Sequence, residues 1–204
     1  LFVGRIEPLK AVDSILEALS IIQSNQPDAL QNLCFAVVGG DPEAPDAELG
    51  RLIEMVNELC LGCVVTFMGA KSHDLLPYYY ASATAVIMPS DYESFGMVAL
   101  EAMASGTPVI ASEVGGLAFL VRDGETGYLV PVRDPQALSE RILALITDGE
   151  NRKKMGENAA HLARQYDWST IANQLLQLFT EQIRRNTPMV VTLRKNSGYL
   201  PPLH

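Results

Sequence analysis

The chain has 204 residues, enough for one well-packed domain, and 48% of them are hydrophobic and 7% aromatic, which excludes a disordered protein. Its 15 Lys and Arg stand against 24 Asp and Glu, a formal net charge of −9 that excludes a general nucleic-acid binder but leaves room for a small phosphorylated ligand. No uncharged apolar run reaches membrane-spanning length and no signal peptide opens the sequence, so a cytoplasmic protein with no membrane span is expected.

Leu1-Phe2-Val3-Gly4 reads as a strand running into a loop. A protein rarely starts inside a core strand, so a missing N-terminal part is expected. Short, continuous apolar runs at 1–3, 33–38, 64–67, 85–88, 109–111 and 127–130 predict strands buried on both faces. Amphipathic stretches at 12–23, 47–59, 75–82, 95–105 and 135–147 predict the helices between them. Such alternation implies an α/β fold with a doubly wound, Rossmann-like parallel sheet, which binds ligands at the carboxyl ends of its strands. Two more helices are expected at 152–165 and 169–185, making one domain of residues 1–185. The tail 186–204, with Pro188, Pro201 and Pro202, shows no period and is expected to be loosely held.

Three cysteines occur, two of them in Cys60-Leu61-Gly62-Cys63. A zinc site needs about four ligands and no second pair exists; a redox pair would open a helix, whereas this one links a helix to a strand. Free thiols are the expectation. His73, His161 and His204 form no ligand cluster, and no metal site is predicted. His73 sits in a loop at a strand's carboxyl end, where solvent exposure is expected.

The chemistry concentrates in Pro89-Ser90-Asp91-Tyr92-Glu93-Ser94-Phe95-Gly96-Met97-Val98-Ala99-Leu100-Glu101. A strand ends here, a polar loop follows, and a helix is predicted from Phe95 with Ser94 as its N-cap. A helix start at the carboxyl end of a parallel strand aims backbone N–H groups into the crevice and suits a diphosphate. Glu101 stands out in an otherwise apolar helix. A carboxylate there needs a partner: the vicinal hydroxyls of a ribose, a nearby Lys or Arg, or water reached by snorkelling. Arg5 and Lys10 follow the first strand, as phosphate ligands or as solvated cations. Gly4, Gly39, Gly40 and Gly69 follow strands, and Gly115-Gly116 reads as a tight loop or an anion nest. No Gly-x-Gly-x-x-Gly fingerprint follows the first strand, which speaks against an NAD enzyme.

Two glutamates with seven residues between them, at 93 and 101, resemble the E-x7-E motif of family 4 retaining glycosyltransferases. Further segments resemble that family in order: Val3-Gly4-Arg5-Ile6-Glu7-Pro8-Leu9-Lys10, Val37-Val38-Gly39-Gly40, Phe67-Met68-Gly69, Ala104-Ser105-Gly106-Thr107-Pro108-Val109-Ile110-Ala111, Val114-Gly115-Gly116, and the late hairpin-like turn Asp123-Gly124-Glu125-Thr126-Gly127-Tyr128-Leu129-Val130. The resemblance implies the C-terminal half of a GT-B architecture, the half that binds the nucleotide sugar, with the acceptor-holding N-terminal domain absent from this chain. It implies that Arg5 and Lys10 contact the diphosphate, Glu101 the ribose and Glu93 the donor sugar. Gly4, Gly69 and the backbone of Phe95, Gly96, Met97 and Val98 would line the donor site. Transfer would be retaining and metal-independent, with no cofactor, to a sugar or sugar-phosphate acceptor. The wording is closest to sucrose-phosphate synthases and related sucrose-forming enzymes, and UDP-glucose is the donor it favours. A non-catalytic nucleotide-sugar sensor and a GT-B-like epimerase remain as alternatives; a phosphorylase is disfavoured, since nothing resembles a pyridoxal phosphate lysine site.

Overall fold

The computed structural model describes residues 1–186, so all but the first residue of the predicted tail lies outside the described residues. Six strands, β1 (Phe2–Val3), β2 (Phe35–Val38), β3 (Val65–Phe67), β4 (Val86–Met88), β5 (Val109–Ser112) and β6 (Gly127–Val130), form two three-stranded parallel sheets. β2 pairs with β1 and β3, and β5 with β4 and β6. The two halves meet at Leu1, whose N–H group donates to Ala85 O (3.0 Å) and whose carbonyl accepts from Ile87 N (2.9 Å). The strands therefore run 3-2-1-4-5-6, the doubly wound arrangement, with its switch point between β1 and β4. β6 lies parallel to β5, so the segment before it is no hairpin.

The described residues also form eight α-helices: α1 (Val12–Asn25), α2 (Ala47–Glu58), α3 (Leu76–Ser82), α4 (Met97–Ala104), α5 (Gly115–Leu120), α6 (Pro135–Thr147), α7 (Gly149–Ala163) and α8 (Trp168–Asn186). Aspartates cap α2, α6 and α7: Asp46 accepts from Leu49 N, Asp134 from Ala137 N and Asp148 from Asn151 N. Pro135 opens α6, where its missing N–H costs nothing.

The strands explain their own sequence. Neighbouring residues point to opposite faces, and each face has its own core. Phe2, Val37, Ile87 and Ile110 pack with Ile15, Leu19, Leu49, Leu52, Leu138 and Ile142 from α1, α2 and α6. Val3, Val38, Val86, Met88, Val109 and Ala111 pack with Ala99, Met103, Leu117 and Leu162 from α4, α5 and α7. With no polar face to present, these strands read as unbroken apolar runs.

Residues Leu1–Tyr166 form one compact unit, and the described residues from Asp167 belong to a second. In the second unit, Asp167 accepts from Ser169 N (2.7 Å) and Thr170 N (3.0 Å) at the head of α8. No helix among the described residues is long and apolar enough to cross a membrane.

Candidate functional site

At the switch point the loops after β1 and β4 face each other. The β1 loop ends in a short 3-10 turn, Pro8–Lys10, and the β4 loop carries Glu93 to the head of α4. Leu9 O accepts from Asp91 N (2.9 Å), which ties the loops together. Lys10 Nζ lies 2.7 Å from Glu93 Oε2, with the two side chains only 23% and 16% exposed. Burial pushes the Glu93 carboxyl pKa up. The Lys10 ammonium and the N–H groups of Phe95 and Gly96 outweigh burial and hold it below the ordinary glutamate value.

Here the predicted helix start needs correction. α4 begins at Met97, not Phe95, and its N-cap is Gly96 rather than Ser94. Gly96 has φ +94°, a left-handed conformation that suits glycine and supplies no capping side chain. The N–H groups of Phe95 and Gly96 turn back to Glu93. The first helical turn, at Met97 and Val98, is the part left without a side-chain cap.

The backbone beneath is fixed by the paired glycines at the head of α5. Gly116 N donates to Glu93 O (3.0 Å). A Cβ on Gly116 would lie 2.4 Å from Phe95 Cα, and one on Gly115 would lie 2.0 Å from Glu93 O. Of the two readings of Gly115-Gly116, the structure shows close packing under the Glu93 loop. Phe95 adds an edge-to-face contact with Tyr166, ring centroids 6.1 Å apart.

A crevice of about 280 Å³ opens here, lined by Gly4, Arg5, Lys10, Glu93, Phe95, Gly96, Met97 and Val98 among others. Eight of the ten predicted site residues thus come together, while Glu101 and Gly69 do not line it. Arg5 is 81% exposed and pairs with Glu7 at 2.8 Å. Gly69 sits beyond β3, where its carbonyl accepts from Gly39 N (3.1 Å). Glu101 lies one turn along α4 from Met97 and Val98, on the side those residues share. Its partner is neither Lys nor Arg among the described residues. Tyr80 O–H donates to Glu101 Oε2 at 2.8 Å, and the exposed His73 ring reaches to 3.8 Å of Oε1.

Two contributors escaped the sequence reading. Ser90 lines the crevice with a buried hydroxyl that has no hydrogen-bond partner among the described residues. Its only sequence signal is its place just after a core strand. Arg133, in the loop after β6, forms a fork with Asp91 (2.6 and 2.7 Å), bonds Asp13 (2.8 Å) and donates to Pro8 O (3.0 Å). It clasps both loops from outside, and nothing in its local sequence marks it.

A larger cavity of about 430 Å³, lined by Leu19, Phe35, Ile87, Ile110, Leu145 and other residues, carries no acidic or basic side chain. It offers nothing to hold a charged ligand. The three cysteines are exposed free thiols, and no group of three or more His, Cys, Asp or Glu among the described residues could hold a metal ion.

An open parallel sheet with cations, a carboxylate and an uncapped helix start at its switch point defines a Rossmann-like α/β domain equipped for an anionic ligand. The glycosyl transferases group 1 family model matches residues 1–162, and the chain belongs to that family, as the C-terminal domain of its GT-B architecture. A D-inositol 3-phosphate glycosyltransferase of Streptomyces bingchenggensis is 39% identical over 184 residues, 90% of this chain and 40% of that protein. The chain thus spans about two fifths of the length of such curated relatives. Sucrose-phosphate synthase from Thermosynechococcus elongatus superposes with a TM-score of 0.77 at 37% identity, covering 90% of this chain and 45% of that one. HepE of Anabaena, solved in complex with UDP-glucose, gives 0.76 at 26% identity, covering 88% of this chain and 48% of that one.

Proposed function

We propose that this chain is the donor-binding domain of a retaining glycosyltransferase that takes a nucleoside diphosphate hexose, with UDP-glucose the favoured donor. The observation that carries the reading is the Lys10–Glu93 pair at the uncapped head of α4. One ammonium proton serves Glu93, and two remain for phosphate oxygens. Arg5 at the mouth supplies a second cation.

In this reading the diphosphate lies between Lys10, Arg5 and the N–H groups of Met97 and Val98. The C1–O bond to the β-phosphate breaks, and the diphosphate leaves with the electron pair. The acceptor hydroxyl bonds to C1 from the same face, and its proton passes to the departing phosphate oxygen. Charge grows on the leaving group as the bond breaks, so fixed cations and the helix start stabilise the transition state more than the ground state, without a metal. Glu93 keeps Lys10 aimed and faces the donor sugar; it is not a covalent nucleophile. Glu101 receives the ribose hydroxyls.

The HepE complex supports a UDP-sugar donor, and the inositol-phosphate and sucrose-phosphate relatives support a sugar or sugar-phosphate class of acceptor. Acceptor contacts are assigned to the part of the relatives' length that this chain does not span. Calorimetry with UDP, GDP and ADP, each with and without glucose, tests the reading. UDP-glucose should bind best, Glu101→Ala should weaken every nucleotide, and Glu93→Ala should mainly remove the increment due to the sugar. Wild-type affinities in both variants would overturn the assignment. Hexosyl transfer by the 204-residue chain alone would overturn the placement of the acceptor site.

A further inference from the structure

α3 carries three consecutive tyrosines with different fates. Tyr78 is 72% exposed, Tyr79 is half-buried, and Tyr80 is 1% exposed. Tyr80 points at α4, where its hydroxyl donates to Glu101 Oε2 at 2.8 Å. Its own backbone is pinned. Thr107 Oγ1 donates to the Tyr80 carbonyl at 2.6 Å, and Ala83 N donates to it at 3.0 Å. Burial first, and then the hydrogen bond to Glu101, push the Tyr80 phenol well above its ordinary pKa, so it stays a proton donor at every working pH.

Glu101 is therefore held from within by one oxygen. Among the described residues its Oε1 meets the His73 ring alone, at 3.8 Å, and its side chain keeps 25% of its exposure. A carboxylate accepts at about four lone-pair sites, and Tyr80 takes one of them. Oε1 and the remaining site on Oε2 form a two-point acceptor, matched to the two donors of a vicinal diol. An unanchored glutamate would have to freeze its terminal torsions for each ligand; this one is already frozen.

We propose that Tyr80 is a positioning residue, which fixes the Glu101 carboxylate so that the site selects ribonucleoside diphosphates by their paired ribose hydroxyls. The proposal rests on the reading of Glu101 as the ribose contact. Tyr80 touches no ligand itself; it acts through the orientation of Glu101.

The test is calorimetry of the full chain with UDP and with 2′,3′-dideoxy-UDP, on wild type, Tyr80→Phe, Glu101→Ala and the control Tyr79→Phe. Wild type should prefer UDP. Tyr80→Phe keeps the ring and the core, and should weaken UDP about five- to tenfold while leaving dideoxy-UDP unchanged. Tyr79→Phe should bind both like wild type. Equal weakening of both nucleotides by Tyr80→Phe, or no weakening of either, overturns the proposal while the Glu101 reading stands. If Glu101→Ala affects both nucleotides alike, the ribose contact itself falls, and the proposal with it. Should Tyr80→Phe lose stability, Tyr80→Leu, which has no donor and does not overfill the buried site, gives a second readout. It too should lose the preference for UDP over dideoxy-UDP; retention of the preference overturns the proposal.

Discussion

Replacing Arg133 by Ala removes four hydrogen bonds at once: two to Asp91, one to Asp13 and one to Pro8 O. Arg133 is 40% exposed and its partners Asp91 and Asp13 are 29% and 19% exposed, so solvent screens the pairs. Exposed pairs contribute about 0.2–1 kcal/mol, but a forked guanidinium in a network exceeds that, and about 1–2 kcal/mol is expected here. For a domain of this size that lowers Tm by about 3–6 °C. Asp13 keeps Arg51 at 3.1 Å, so the loss falls mostly on the Asp91 loop, upstream of Glu93. UDP affinity should fall about threefold, because Lys10 and Glu93 sit on the two loops that Arg133 joins. Arg133 also has φ +55°, so Arg133→Gly should melt above Arg133→Ala by relieving backbone strain of about 1 kcal/mol. Thermal scans in 50 mM and 1 M NaCl check the account, since salt should narrow the gap between wild type and Arg133→Ala. An unchanged Tm at low salt, or a gap indifferent to salt, refutes it.

Further outcomes follow from the same geometry. Glu93 has a depressed folded pKa, so its contribution to stability is present at neutral pH and is lost as pH falls through the folded value. Glu93→Gln should therefore lose less Tm between pH 7 and pH 3 than wild type does; equal losses would contradict the Lys10 pairing. Gly116→Ala forces a Cβ to 2.4 Å from Phe95 Cα and should cost about 3 kcal/mol together with nucleotide binding. A Tm within about 1 °C of wild type would show that the loop yields freely. Asp134→Ala removes the bond to Ala137 N (2.9 Å) at the head of α6 and should cost about 1 kcal/mol in urea titrations; no change would mean that the cap is idle.

The strands were legible in the sequence because burial on both faces leaves an unbroken apolar run, as at Val86–Met88. The long amphipathic helices were legible for a different reason, since burial on one face leaves an apolar residue every three or four positions, and α6 begins and ends where its periodicity does. α5 was not predicted, since its six residues open with two glycines chosen for clearance from the Glu93 backbone rather than for helix propensity. The start of α4 was misplaced because Ser94 is a good cap by composition, while the chain uses the left-handed Gly96 to return two N–H groups to Glu93. The motif pointed to Glu93 and Glu101 directly. Their partners Lys10 and Tyr80 lie 83 and 21 residues away, and such pairings follow from the sheet topology rather than from local pattern.

The two half-sheets are joined through a strand of two residues, and Leu1 and Ala85 are separated by 84 positions. Their union closes a long chain segment, whose entropy opposes it, and the core that α1 shares with α6 across both halves offsets that cost. Lys10 belongs to the first half and Glu93 to the second, so the crevice does not exist until that union is made. Affinity for a nucleotide should therefore emerge in refolding only when both halves have joined. A bound nucleotide acts on the same step, drawing the joined state out of the ensemble and making the seam at the switch point the place where ligand concentration sets stability.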